Sequence, residues 1–191
     1  MDSALFYYQR SVDVYPAYSP SWNNMGSIYF VFYQDYEKAI PYFKKAVETD
    51  SNYVEPYFNL GYAYELTGDT PMAVDYYLRT LQKDSAYIKA LSNLGNIYER
   101  QGRTEEFMTI NQKIITLAPA SDVPYINISN HYLLNGDTLN AIAYMEKAFE
   151  KAPANTGLIN NLIIYYEDKG PVEKADFYKL KLEEAFKINK R

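Results

Sequence analysis

Trp22, Met25, Gly26 and Tyr29 fall at i, i+3, i+4 and i+7 of the chain, a spacing that lays one stripe along an α-helix. The stripe returns as Tyr57, Leu60, Gly61, Tyr64, as Leu91, Leu94, Gly95, Tyr98, as Tyr125, Ile128, Ser129, Tyr132, and as Ile159, Leu162, Ile163, Tyr166, at offsets of 35, 34, 34 and 34 residues. Behind each stripe comes a second apolar segment with a small residue at a fixed place: Ala39, Ala73, Ala141 and Ala175, with Phe107 as the exception. Turn signals separate the two segments as TGDT at 67, QGRT at 101, NGDT at 135 and KGPV at 169, where Asp or Thr can cap the next helix. The first turn, FYQDYEKA, has one extra residue and no Gly. Each period therefore predicts two helices. Gly or Ser in the stripe lets them approach closely, and Ala in the second helix provides a notch for a large aromatic.

A 34-residue helix-turn-helix period carrying W-x2-L-G-x2-Y, then Ala, an aromatic and Pro, resembles the tetratricopeptide repeat. Later positions agree through Phe43 and Ala46, through Tyr77, and through Met145, Ala148 and Pro153. The resemblance implies an all-α, right-handed α-solenoid of five repeats in one continuous array, at 19–53, 54–87, 88–121, 122–155 and 156–189. Residues 1–18 match only the second helix of a preceding repeat, with Ala4, Tyr8 and Pro16 in register, which is expected to leave Leu5 and Tyr8 uncovered. The third repeat exchanges large and small, placing Phe107 where Ala is expected and Asn111 where an aromatic is expected. The charged segment KADFYKLKLEEAFKINKR is expected to be a solvated cap that ends the array.

Counted from the start of each repeat, the sixth position reads Asn24, Asn59, Asn93, Asn127 and Asn161. At 100° per residue this position points nearly opposite the stripe, so these side chains are not core. The face of the first helix turned from its partner is the concave surface of such an array, where ligands bind. Three roles are open for the asparagines: a ladder whose carboxamides meet the C=O and N–H of an extended peptide, an inter-helix hydrogen bond, or a residue kept only as part of the repeat consensus. For the first, the chain is similar to the tetratricopeptide region of the protein O-linked N-acetylglucosamine transferases, whose asparagine ladder holds substrate backbone. Tyr62, Asn96 and Asn130 at the ninth position, Arg100 at the thirteenth and Lys89 at the second complete the candidate groove. Only Lys89 and Arg100 supply positive charge there, so the groove lacks the basic cluster that clamps a C-terminal carboxylate. Glu65, Glu99 and Glu167 recur on one flank and favour a neutral to mildly basic protein or peptide partner.

Composition narrows the classes. Of 191 residues, 22 are Tyr and 9 Phe, an aromatic load that excludes a disordered chain. A net charge of −5 with no basic block argues against nucleic acid. Cys is absent and His131 is the single histidine, so no metal site, thiol nucleophile or triad is expected, and no phosphate-binding glycine loop is present. No cofactor is expected. The chain lacks an 18-residue apolar run and a signal-peptide pattern at its start. The leading expectation is a non-catalytic module binding an extended peptide or partner helix. Alternatives are the substrate-recruiting arm of a larger glycosyltransferase or other enzyme, and a scaffold that self-associates through the N-terminal half repeat.

Overall fold

The computed structural model describes residues 2–188. Met1, which opens the expected half repeat, and Asn189, which closes the fifth repeat, lie outside them. Among the described residues all regular structure is helical. The helices are α1 (Asp2–Val14), α2 (Ser19–Val31), α3 (Tyr36–Thr49), α4 (Glu55–Leu66), α5 (Thr70–Lys83), α6 (Ile88–Arg100), α7 (Thr104–Leu117), α8 (Val123–Leu134), α9 (Thr138–Lys151), α10 (Thr156–Lys169) and α11 (Val172–Ile188). The chain is an α-solenoid of helix-turn-helix repeats. It divides into two compact units on either side of Gln101 and Gly102, inside the turn of the third expected repeat. In the first unit each helix from α1 to α5 packs on the next, and α2 also meets α4; in the second, α7 packs on α8, α8 on α9, α9 on α10 and α10 on α11.

The stripes form the core. Met25, Leu60, Leu91, Leu94, Ile128, Ile159 and Leu162 are buried, as are Ala39, Ala73, Ala141 and Ala175. Gly26 and Gly61 show why the third stripe position is small. A Cβ on Gly26 would stand 2.6 Å from the Phe43 ring, and one on Gly61 would stand 2.7 Å from the Tyr77 ring. The aromatic of the second helix thus fills the hollow left on the first. In the fourth repeat Ser129 takes this place and donates its hydroxyl to the Ala141 carbonyl at 2.8 Å.

A second regularity accounts for much of the tyrosine. Tyr29 stacks on Tyr42, Tyr64 on Tyr76, Tyr132 on Tyr144 and Tyr166 on Tyr178, with ring centroids 5.2, 5.6, 5.7 and 5.8 Å apart. Each pair ties the two helices of one repeat together, and such contacts add about 0.5–1.5 kcal/mol beyond burial.

The turns before α3, α5 and α9 are capped as expected, whereas those before α7 and α11 depart, Gly170 of the latter being extended. Asp35, Asp69 and Asp137 accept from the backbone N–H of Lys38, Met72 and Asn140, capping α3, α5 and α9. Arg103 occupies the matching place before α7 and makes no cap; its guanidinium holds Glu106 instead. Gly68, Gly102 and Gly136 have φ of +84°, +69° and +77°, and in the first turn Gln34 takes this role at +51°. A left-handed conformation costs an L-residue about 1–2 kcal/mol. Gln34→Gly is therefore expected to raise stability by about 0.5–1 kcal/mol in urea unfolding, after the extra unfolded-state entropy of glycine is counted. An unchanged or lower midpoint would contradict this.

The N-terminal helix is better covered than the sequence implies. Leu5 and Tyr8 are half-buried, Val12 is buried, and the hydroxyls of Ser11 and Ser21 bond at 2.8 Å; the exposed large apolar side chains of α1 are Phe6, Tyr7 and Val14. At the other end α11 is not wholly polar on its outer side, because Val172, Phe177, Leu180 and Phe186 are exposed.

Candidate binding face of the first helices

In the first unit two hydrogen-bonded chains run through the asparagines of α2, α4 and α6. In one, Asn59 Nδ2 donates to Asn23 Oδ1 at 2.9 Å, Asn23 Nδ2 donates to the Tyr53 hydroxyl at 3.3 Å, and that hydroxyl donates to Glu55 at 3.0 Å. Burial, with the Glu55 carboxylate beside it, pushes the Tyr53 phenol up to about 12. Asn23 is buried and stands one residue before the expected Asn24, which is half-buried. In the other chain Asn93 Nδ2 donates to the Tyr77 hydroxyl at 2.9 Å, which donates to Glu65 at 2.8 Å, and Arg100 donates to the other oxygen of Glu65 at 2.9 Å. Burial holds the Tyr77 phenol far above its ordinary value, and the Glu65 carboxylate adds to the shift.

In the second unit Asn127 Nδ2 donates to Asn111 Oδ1 at 3.3 Å, while Asn111 Nδ2 donates to the Phe107 carbonyl at 2.9 Å. Asn111 is buried. This explains the polar residue in the aromatic place of the third repeat: it is satisfied on both sides, so its burial carries no unpaired group. Asn161 is exposed and makes no side-chain hydrogen bond among the described residues.

A rule joins these cases. Asn93 and Asn127 each bond the residue sixteen earlier, on the preceding second helix, where Tyr77 and Asn111 offer an oxygen. The residues sixteen before Asn59 and Asn161 are Phe43 and Met145, which offer none. Asn59 turns to Asn23; Asn161 is left over. Three of the five expected ladder residues therefore hold neighbouring elements together with one amide N–H.

The other expected groove residues separate by environment. Lys89, Asn96 and Asn130 are exposed. The Arg100 side chain is 60% exposed although it pairs with Glu65. Tyr62 is 37% exposed, with Phe30 of α2 and Phe58 of α4 at 5.2 and 6.1 Å between ring centroids. The flanking glutamates carry less free charge than the sequence alone implies, because Arg100 holds Glu65 and Lys179 holds Glu167 at 2.7 Å. Beside these groups the same face exposes Val31 and Leu66 in the first unit and Leu134 and Ile164 in the second. A cavity of about 400 Å³ in the second unit includes Asn161 and Ile164 in its wall.

Asn23, Tyr77, Asn111 and Met145 were not legible as site residues. The sixteen-residue spacing between two helix faces is the signal that could have found them. His131 is half-buried with its ring 4.9 Å from Phe107. Among the described residues no three His, Asp or Glu side chains gather as a metal site, and no helix is long and apolar enough to cross a membrane.

Comparison with known proteins extends this picture. A family model described as a TPR repeat matches residues 34–68, and two described as tetratricopeptide repeats match 57–86 and, for the other, 88–121 with 124–155. No curated protein sequence matches. Among solved structures the chain is similar to MamA, with a TM-score of 0.71 and 26% identity over 78% of this chain and 87% of that one. It is also similar to YrrB, described as a TPR protein with an unusual peptide-binding site, with a TM-score of 0.67 and 16% identity over 93% and 91% of the two chains. A third similar structure is PilF of Pseudomonas aeruginosa, with a TM-score of 0.68 and 18% identity over 87% and 76%. The last two likenesses show the fold.

Proposed function

We propose that the chain, a tetratricopeptide-repeat protein, is a non-catalytic protein-interaction module that takes an extended partner segment on the first-helix faces of its units. One observation carries this reading: the helix faces that hold the carboxamides also expose Val31, Tyr62 and Leu66 in the first unit, and Leu134 and Ile164 in the second. Apolar side chains exposed together among polar groups mark interaction faces. Asn59, Asn93 and Asn127 each keep a second N–H and Oδ1 after bonding the protein, which is the complement of a peptide unit. In this reading they act as the asparagine ladder that the sequence resembles, recognising backbone while the apolar positions receive side chains. The peptide-binding site named for YrrB, carried over on the shared fold alone, agrees with a peptide guest.

The test selects peptides from a phage-displayed random dodecamer library on the full chain and measures Kd by fluorescence anisotropy. Tyr62→Ala/Leu66→Ala and Leu134→Ala/Ile164→Ala are compared with wild type. At least one pair is expected to weaken binding tenfold or more, since truncating two apolar anchors removes about 2 kcal/mol. No selected binder, or wild-type affinity in both pairs, would overturn the reading.

A further inference from the structure

The cavity of about 400 Å³ in the second unit has an apolar wall of Leu133, Ile142, Met145, Ile164 and Tyr165, with Asn161 and Asp168 on α10 beside it. Ile142 and Met145 are buried, whereas Leu133 and Ile164 are exposed, so the cavity runs from core side chains out to solvent. Its volume is within the range that ligand pockets occupy. One residue links its two halves. At the matching place in the second repeat Tyr77 covers Gly61 and takes up the amide of Asn93. Met145 has neither ring nor hydroxyl, which leaves space at the wall and a carboxamide with no protein partner above it.

Asp168 and Lys169 both stand at the mouth. Among the second, sixth, ninth and thirteenth positions of α8 and α10, which are Val123, Asn127, Asn130, Leu134, Gly157, Asn161, Ile164 and Asp168, only Asp168 is ionised. Lys169, also in the cavity wall, pairs with Asp168 only at 3.8 Å, and with the two side chains 66% and 70% exposed a guest cation can compete for the carboxylate.

We infer that this cavity is an anchor pocket for one residue of a bound peptide. It takes a leucine-sized aliphatic side chain, the peptide unit beside it bonds the free Asn161 carboxamide, and an adjacent basic side chain meets Asp168. The inference rests on the interaction-module reading and names the partner chemistry of its second unit.

The test uses the full chain with 13C-labelled isoleucine and methionine methyls, titrated with the blocked hexapeptide acetyl-GSLRSG-amide. Saturable shifts of the Met145 and Ile164 methyls are expected. The alanine control acetyl-GSARSG-amide and the acidic control acetyl-GSLESG-amide should each bind at least fivefold more weakly, as should Asn161→Ala with the leucine peptide. Ser129→Gly/Met145→Tyr rebuilds the Gly61 and Tyr77 arrangement and should abolish the shifts of Ile164. Should that variant fail to fold, Ile164→Lys places a charge at the mouth and is expected to abolish binding on its own. Failure of the leucine peptide to move either methyl, equal binding of the alanine control, or undiminished binding to Asn161→Ala and Ile164→Lys would overturn the pocket. If selected dodecamers still bind and Tyr62→Ala/Leu66→Ala weakens them, the module reading stands without it; if none binds, both fall.

Discussion

Phe43→Ala is expected to cost the first unit about 3–5 kcal/mol, the range for deleting a fully buried aromatic ring. Phe43 is 1% exposed, and its ring occupies the hollow over Gly26 while facing Phe30 at 6.3 Å. It belongs to a core cluster with Ala39, Tyr57, Leu60 and Tyr76, so the hole opens where α2, α3, α4 and α5 supply side chains. The hollow has no Cβ of its own to collapse with, which places the expected loss toward the upper part of that range. Gly26→Ala in the wild-type chain should destabilise by about 1–3 kcal/mol through overpacking. In the Phe43→Ala background the same methyl enters empty space and should restore stability. Urea unfolding of the four proteins reads this reversal of sign as a coupling energy. Additive effects, or a loss under about 1 kcal/mol for Phe43→Ala, would contradict the packing described.

Asn127→Ala and Asn161→Ala are expected to differ although the two residues hold equivalent repeat positions. Asn127 supplies the donor to Oδ1 of Asn111, a buried acceptor. Removing it leaves that oxygen unsatisfied at a cost of about 1–3 kcal/mol. Asn161 is exposed and bonds nothing among the described residues, so its truncation should stay within about 0.5 kcal/mol of wild type. Denaturant midpoints of the two variants check the contrast. Equal losses, or a neutral Asn127→Ala, would remove the inter-helix role assigned to the asparagine.

The stripes Trp22 to Tyr29, Tyr57 to Tyr64 and their later copies were legible because a 3.6-residue period and a 34-residue period are both properties of sequence spacing. The capping aspartates were legible for the same reason: a cap is a local contact. The inter-helix hydrogen bond was one role the sequence left open for Asn93 and Asn127, but their partners Tyr77 and Asn111 were not legible, because they lie on another helix and are set by packing. The distinction between Asn161 and its equivalents turns on Met145, a residue that reads from the sequence only as a core hydrophobe. Gln34 in a left-handed conformation was foreshadowed by the missing glycine of the first turn. The stacked pairs, by contrast, were written in the repeat itself as Tyr42, Tyr76, Tyr144 and Tyr178, and were obscured by the abundance of tyrosine.

The central claim is that partners lie on the first helices of the repeats. Photo-crosslinking tests it most directly: a selected dodecamer carrying one diazirine amino acid is bound to the full chain, irradiated, and the attachment sites are mapped by mass spectrometry. The account predicts crosslinks at α2, α4, α8 or α10, centred on Val31, Tyr62, Leu66, Leu134 or Ile164, which unlabelled peptide suppresses. Competable crosslinks confined to α3, α5, α9 or α11 would place the partner on the opposite face and contradict it.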